Sequence, residues 1–143
     1  MSTIWFDKTP SLEVLNRQIE NTACSNLGIV ITEVGDNYMS GTMPADSRTF
    51  QPMGLIHGGS NVLLAETLGS MAANCCVDLS KEYCVGQEIN ANHLRGVRSG
   101  EVTGTATLIH KGRTSQIWEI RIVNEENKLT CISRLTMAVV SRS

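Results

Sequence analysis

The chain has 143 residues, a size typical of one domain with a substantial core. Hydrophobic residues make up 41% and charged residues 18%, as in ordinary globular proteins. The formal net charge of -2 argues against a nucleic-acid-binding protein, because such proteins are usually basic. We therefore expect a single domain spanning residues 1–143, with no nucleic-acid partner.

Five cysteines are present, an odd number, and none forms a C-x-x-C pair. The N-terminus "MSTIWFDKTPSLEVLN" lacks the long apolar run of a signal peptide, and no segment is apolar over the roughly 18 residues of a membrane span. These features favour a cytoplasmic protein with free thiols and no membrane partner. We interpret the cysteines as small buried hydrophobic residues rather than as catalytic or metal-binding groups.

The N-terminal third predicts a helix followed by a hairpin. The segment "TPSLEVLNRQIENT" is typical of a short amphipathic helix, with Ser11 as N-cap and Leu12, Leu15 and Ile19 on one stripe. Next, "LGIVITEVGDNYMSGTMPA" contains two strand-like runs on either side of the turn sequence Gly35-Asp36-Asn37.

Residues 46–56 read as a loop, and one long helix is predicted from about Gly58 to Val77. The remaining segments are rich in valine, isoleucine and threonine, alternate as strands do, and are joined by short turns such as 124–128. Consecutive strands with short connections indicate an antiparallel sheet, and the long, mostly apolar helix needs a sheet face to cover it. We expect an α+β fold, with a sheet of about five or six strands wrapped around one buried helix.

Glu66 is a carboxylate in the middle of this apolar helix. Two interpretations are open: Glu66 faces solvent on a polar stripe with Asn61 and Ser70, or it is partly buried. A partly buried carboxylate is a candidate base or nucleophile, because burial without a partner is costly.

The helix begins at Gly58-Gly59, directly after His57. Backbone N–H groups at a helix start have no intrahelical acceptor, so this segment is a candidate oxyanion hole; alternatively, the glycines only permit a tight turn. Gly58 and Glu66 are about 12 Å apart along a helix, too far to act on one carbonyl from the same chain. If both are catalytic, Glu66 must come from a second subunit, and a symmetric dimer with antiparallel helices is expected. Ser70, one turn after Glu66, can hold a water or the carboxylate.

The segment "TFQPMGLIHGGSNVLLAETLGSMA", residues 49–72, resembles the hotdog-fold acyl-CoA thioesterases. The segments "GQEINANHLRGVRSGEV" and "HKGRTSQIWEI" are similar to later strands of the same family. The branch with the greatest similarity contains small bacterial enzymes acting on aromatic acyl-CoA or acyl-carrier-protein thioesters, including 1,4-dihydroxy-2-naphthoyl-CoA hydrolases of menaquinone synthesis and proofreading thioesterases of enterobactin synthesis. The resemblance implies a hotdog fold, an antiparallel sheet around one long central helix.

The resemblance also implies roles for particular residues. The catalytic carboxylate, which attacks the thioester or activates water, corresponds to Glu66, and the oxyanion donor corresponds to the Gly58 N–H. Assisting polar side chains correspond to Gln51 and His57, and a water-positioning hydroxyl to Ser70. The implied assembly is a homodimer that pairs into a homotetramer, with active sites at the dimer interface.

For CoA binding, the resemblance implicates His93 and Arg95 in an N-A-x-H-x-R pattern, and the turn Lys111-Gly112-Arg113. Arg95, Arg98, Lys111 and Arg113 form one candidate cluster for the CoA phosphates; alternatively, these are solvated surface charges. Gly96 departs from the proline that often follows this arginine in the family.

The sequence predicts an acyl-CoA thioesterase that forms free acid and CoA without a cofactor; CoA itself is part of the substrate. No histidines sit at metal-ligand spacing, and no dinucleotide or P-loop fingerprint is present. Carrier-protein thioesters are an alternative substrate class. A hotdog dehydratase using His57 and Glu66 and a non-catalytic acyl-CoA-binding module are the remaining alternatives.

Overall fold

A computed structural model describes residues 2–143 and contains one six-stranded sheet in which all neighbouring strands are antiparallel. The strand order is β1-β2-β4-β5-β6-β3. The strands are β1 (Val30–Val34), β2 (Tyr38–Pro44), β3 (Glu82–His93), β4 (Glu101–Lys111), β5 (Ser115–Val123) and β6 (Leu129–Ser141). Together with one long helix packed on this sheet, the arrangement confirms the α+β architecture expected of a hotdog fold.

Of the three helices, α1 (Leu12–Gln18) and α2 (Ala23–Asn26) are short, and α3 (Gly58–Cys75) is the long central helix. Helix α3 packs against β2, β3, β4, β5 and β6. Its predicted end at Val77 is two residues too late, because the Cys76 N–H bonds to the Ala73 carbonyl and closes the last turn. Gly69 lets α3 approach the sheet, since a β-carbon there would lie 2.5 Å from Leu135 Cδ2.

The core lies between α3 and the sheet. The predicted alternation in β4 is confirmed: Val102, Gly104 and Ala106 are buried, whereas the threonines between them are half-buried. Gln116 is fully buried and connects the two layers, because its Nε2 donates to the Ala73 carbonyl and its Oε1 accepts from Trp118 Nε1 at 2.9 Å.

Helix α1 packs on β1, and helix α2 contacts α3. The predicted cap of α1 is confirmed, because the Ser11 side chain accepts from the Val14 N–H. Leu15 and Ile19 are buried as expected, but Leu12 is 39% exposed. Helix α2 was not predicted. Thr22 is its N-cap and forms a capping box with Ser25, whose side chain accepts from the Thr22 N–H.

Strand β3 lies at the edge of the sheet, and eleven of its twelve residues pair with β6. The pairing shifts between Gly86 and Glu88, a bulge that leaves Gln87 without a partner. Within residues 2–143, no strand pairs with the outer edge of β3. Such a long free edge is a template for pairing with another chain.

Candidate active site

The start of α3 presents one free backbone donor. His57 is the N-cap, and its Nδ1 accepts from the Gly59 N–H at 2.8 Å. The N–H groups of Ser60 and Asn61 both bond to the His57 carbonyl, at 2.9 and 3.2 Å. Across residues 2–143, the Gly58 N–H has no acceptor. A half-buried N–H at the positive end of a helix is a suitable oxyanion donor.

Gln51 lies beside this donor in a tight turn before the helix. Its backbone N–H donates to the Leu55 carbonyl at 2.8 Å, and its Oε1 accepts from the Met53 N–H. Because Oε1 is occupied, the Nε2 group remains as the donor that the side chain offers. His57 likewise offers Nε2–H, since its Nδ1 already accepts the capping bond.

His93, at the end of β3, packs directly on Gly58, where a β-carbon would lie 2.8 Å from His93 Nε2. The two residues line a cleft of about 380 Å³ together with Gln51 and Arg95. We call this the Gly58 cleft; its other lining residues are Leu55, Ile56, Asn61, Leu94 and Gly96. His93 was predicted only as a CoA-binding residue, and the structure places it beside the candidate oxyanion donor.

Two further features of the Gly58 cleft were not predicted. Asn61 is only 7% exposed, and its Oδ1 has no hydrogen-bond partner within residues 2–143. Gly96 packs closely on Leu55, because a β-carbon would lie 2.9 Å from Leu55 Cδ2. A side chain at residue 96 would therefore displace Leu55.

Glu66 and Ser70 line a different cleft of about 470 Å³, between α3 and the helices α1 and α2. We call this the Glu66 cleft; its other lining residues are Gln18, Ile19, Thr22, Ala23, Cys24, Leu63, Thr67 and Met71. Glu66 is half-buried, and none of the ion pairs or side-chain hydrogen bonds within residues 2–143 involves its carboxylate. The carboxylate lies against Gly86 of β3, in space that a β-carbon would occupy. A half-buried, unpaired carboxylate fits the chemical interpretation of Glu66 better than the solvent-facing one.

The two clefts share no lining residue. Gly58 and Glu66 stand about 12 Å apart along α3, as the helical rise requires. One chain therefore contains two half-sites. The first is the Gly58 N–H with the side chains of Gln51 and His57, and the second is the Glu66 carboxylate with the Ser70 hydroxyl.

Within one chain, the candidate CoA-binding cations lie in two separate places. Arg95 lies in the Gly58 cleft, and Arg98 donates to the Met53 carbonyl at 3.3 Å, so both are near the start of α3. Lys111 and Arg113 flank Gly112 in the β4–β5 turn, whose strands pass the other end of α3, where Gln116 contacts Ala73. The spacing of these residues in the sequence does not reveal that they lie at opposite ends of the sheet.

Of the five cysteines, Cys76, Cys84 and Cys131 are buried as predicted, whereas Cys24 and Cys75 are half-buried. Burial raises the pKa of the Cys75 and Cys84 thiols to about 11 and that of Cys76 to about 12. Burial also raises the pKa of Cys131. No group of three or more potential metal ligands occurs within residues 2–143. In the same part of the chain, no helix is both long and apolar enough to cross a membrane.

The family follows from comparison with known proteins. The model of the thioesterase superfamily matches residues 53–131, which include the start of α3, Glu66 and both arginines after β3. This chain belongs to the thioesterase superfamily. The crystal structure of a mutant of thioesterase PA1618 from Pseudomonas aeruginosa superposes with a TM-score of 0.95 at 52% identity, covering 97% of this chain and 99% of that one.

Curated relatives agree with this assignment. The 1,4-dihydroxy-2-naphthoyl-CoA hydrolase of Escherichia coli is 44% identical over 137 residues, covering 96% of this chain and 99% of the relative. The proofreading thioesterase EntH of Cronobacter sakazakii is 46% identical over 130 residues, covering 91% and 94%. The protein is a thioester hydrolase, and the two half-sites are its candidate catalytic groups.

Proposed function

We propose that this thioesterase hydrolyses acyl-CoA thioesters with aromatic or small acyl groups, releasing the free acid and CoA. The observation that carries the proposal is that, among the described residues, one chain has a Gly58 N–H without an acceptor in one cleft and a Glu66 carboxylate without a partner in another. Thioester hydrolysis requires a donor for the oxyanion and a nucleophile or base, and neither of these two groups is engaged in a hydrogen bond that maintains the fold. The similarity to a naphthoyl-CoA hydrolase supports an aromatic acyl group.

In the proposed mechanism, the thioester carbonyl binds at Gly58 of one chain and meets Glu66 of the partner. The Gly58 N–H stabilises the developing oxyanion, assisted by the free donors of Gln51 and His57. Glu66 either attacks the carbonyl carbon and expels the CoA thiolate, forming a mixed anhydride that water then hydrolyses to the free acid, or it removes a proton from a water that attacks the carbonyl carbon and expels the thiolate directly. Ser70 positions the water. The proposed reaction needs no metal or redox cofactor.

The proposed assembly is a homodimer in which the free edge of β3 pairs with its symmetry mate. In this dimer the two α3 helices run antiparallel, so that the start of α3 at Gly58 in one chain lies beside Glu66 on α3 of the other chain. The same arrangement brings Lys111 and Arg113 of one chain toward Arg95 of its partner, so that both cation groups can meet the phosphates of one CoA. We further propose that two dimers form a homotetramer.

The test is hydrolysis of a panel of benzoyl-type, short aliphatic and long aliphatic CoA esters, with CoA release followed by a thiol reagent. Glu66→Gln is expected to lower kcat by at least about 10³-fold on every ester, because it removes the reacting carboxylate but keeps the shape of the side chain. Glu20→Gln is the matched control, since Glu20 is exposed and lines neither cleft. Full turnover by Glu66→Gln would refute the mechanism.

Rapid quenching separates the two chemical routes. A burst of free CoA ahead of acid formation indicates the anhydride, whereas simultaneous release of CoA and acid indicates general-base catalysis.

The second candidate substrate is an acyl-carrier-protein thioester, which the similarity to proofreading thioesterase EntH favours. Comparison of kcat/KM for one acyl group on CoA and on a carrier protein discriminates between the two carriers. We propose a cytoplasmic location for the enzyme. The similarity to 1,4-dihydroxy-2-naphthoyl-CoA hydrolase makes menaquinone synthesis the candidate pathway.

A further inference from the structure

Asn61, the fourth residue of α3, carries a buried polar group that the fold does not use. The residue is 7% exposed, and its Oδ1 is buried without a hydrogen-bond partner within residues 2–143. Its backbone is ordinary helix, because the Asn61 N–H donates to the His57 carbonyl at 3.2 Å. Buried polar groups are nearly always paired, and an unpaired one lowers stability, so this amide calls for an explanation.

The side chain of Asn61 lies beside the candidate oxyanion donor. Asn61 follows Gly58 by three residues, which places the two on neighbouring turns of one helix face, about 4.5 Å apart along the axis. Side chains of an α-helix lean toward its N-terminus, so the Asn61 amide extends back toward Gly58. Both residues line the Gly58 cleft. A ligand atom bound at the Gly58 N–H is therefore within reach of this amide.

A second asparagine of the same helix shows how the fold treats a structural amide. Asn74 Nδ2 donates to the Ser70 and Cys84 carbonyls at 2.9 and 3.1 Å, and its Oδ1 accepts from the Cys84 N–H at 2.8 Å. That amide connects α3 to β3 through three hydrogen bonds. Asn61 makes no comparable connection within residues 2–143, so a structural role does not account for it.

Contact with a partner chain does not account for Asn61 either. In the proposed dimer the partner meets the face of α3 that carries Glu66. Val62 and Leu63 belong with Glu66 to the half-buried part of the helix, whereas Asn61 is covered by its own chain. The Gly58 cleft is therefore the side from which a ligand reaches Asn61.

The chemistry of the amide matches the charge that develops in the cleft. Because Oδ1 is the buried end, the Nδ2–H group is the end that remains for a ligand, and it is a donor. Thioester hydrolysis places negative charge on the carbonyl oxygen, and an asparagine amide held in a fixed position stabilises such a charge. The small exposure of Asn61 keeps bulk water away, which strengthens this interaction.

We propose that Asn61 is a further catalytic residue, whose Nδ2–H binds the thioester carbonyl oxygen together with the Gly58 N–H. The inference rests on the proposed function, in which this carbonyl lies at Gly58. The unpaired Oδ1 lowers the stability of the free protein, whereas the Nδ2–H lowers the barrier to hydrolysis. Asn61 therefore affects stability and activity in opposite directions.

Asn61→Leu tests both effects, because leucine keeps the branched shape of asparagine without a polar atom. With benzoyl-CoA as substrate, kcat is expected to fall by about 100-fold with little change in KM, since a donor to the oxyanion is lost. The midpoint of thermal unfolding is expected to rise by about 3 °C, because the unpaired oxygen is gone.

Asn74→Leu is the matched control for the sign of the stability effect. It makes the same replacement in the same helix, but it removes an amide that forms three hydrogen bonds. Its unfolding midpoint is expected to fall. Opposite shifts for the two variants distinguish an amide that the fold uses from one that it does not.

Infrared spectroscopy tests the contact with the carbonyl oxygen itself. Benzoyl-CoA labelled with ¹³C at the carbonyl is bound to Glu66→Gln, the variant expected to hydrolyse it slowly. Hydrogen bonds to the oxygen are expected to lower the carbonyl stretching frequency relative to the free ester. Adding Asn61→Leu is expected to return this frequency part of the way toward the free value. A residue that only maintains the fold would not move it.

Unchanged kcat in Asn61→Leu, or an unchanged carbonyl frequency, would overturn the inference. A lower unfolding midpoint in this variant would also overturn it, and dissociation in sedimentation would assign the amide to contact between chains. Failure of the proposed function has a different signature. Full turnover by Glu66→Gln would reject that mechanism, whereas a fully active Asn61→Leu beside an inactive Glu66→Gln would reject the inference alone.

Discussion

The carboxylate of Glu66 lies against Gly86, in the space that a β-carbon of residue 86 would fill. Gly86 begins the bulge of the edge strand β3, and the same strand ends at His93, which packs on Gly58. Strand β3 therefore contacts both half-sites of one chain, and no strand among the described residues 2–143 pairs with its outer edge. A partner that pairs with this edge would lie next to both half-sites, which links assembly to catalysis.

The first prediction concerns Gly86 as a positioning residue. Gly86→Ala is expected to lower kcat by about 10- to 100-fold with little change in KM, because the new methyl group displaces the Glu66 carboxylate by about 1 Å. The fold is expected to persist, since the displaced atoms belong to the end of a flexible side chain. Steady-state kinetics with one ester measures the effect.

Rescue distinguishes positioning from general damage to β3. In a Gly86→Ala background, Glu66→Asp is expected to lower kcat by a smaller factor than it does in the wild-type protein, because the shorter side chain avoids the methyl group. Gly35→Ala, in the β1–β2 turn, is the matched control, because its β-carbon would also displace only a side chain, that of Tyr38 at the start of β2. Strictly additive effects of the two substitutions would contradict direct contact between the residues.

The sequence predicts the framework of this protein better than its clefts. Helix α3 and the strands follow from periodicity and turn residues, which are local signals. The clefts depend on how Gln18 and Cys24 pack over α3, and nothing in the spacing of those residues indicates it. Gly86 carries a weak signal, since an isolated glycine in a strand suggests a bulge or a close approach. The opposite positions of Arg95 and Lys111 follow from strand order, which a single sequence does not specify.

The second prediction concerns sites shared between chains. Gln51→Ala and Glu66→Gln each disable one half-site, and each homodimer is expected to be nearly inactive. In mixed dimers, one of the two sites combines an intact Gln51 with an intact Glu66. Random mixing is therefore expected to restore about one quarter of wild-type activity.

Coexpression with two affinity tags isolates the mixed dimers, and hydrolysis assays are expected to show about half of wild-type activity in them, because one of their two sites is intact. Separately purified homodimers, combined without subunit exchange, are the control. Mixed dimers as inactive as their parents would place Gln51 and Glu66 in one site of one chain, contrary to the separation of the two clefts.

The third prediction separates the structural and chemical roles of His57. Its Nδ1 caps α3 by accepting from the Gly59 N–H. His57→Ala is expected to lower the free energy of unfolding by about 1 kcal/mol, whereas His57→Asn keeps a capping oxygen and most of the stability. Both variants lose the Nε2–H donor, so both are expected to lose the same share of kcat. Urea unfolding and kinetics measure the two effects; recovery of kcat in the asparagine variant would limit His57 to capping.

The last prediction concerns thiol reactivity, which also determines how cleanly a thiol-based assay reports CoA. Because burial raises the pKa of Cys75 and Cys84 to about 11, only about one molecule in 10³ carries either thiolate at pH 8. These thiols are expected to react slowly in the folded protein, with a rate that rises about tenfold per pH unit as deprotonation increases. Mass spectrometry after timed labelling measures the modification of each cysteine, and in denaturant all five cysteines are expected to react. Rapid labelling of Cys75 or Cys84 in the folded protein at pH 8 would show that their burial does not suppress the thiolate.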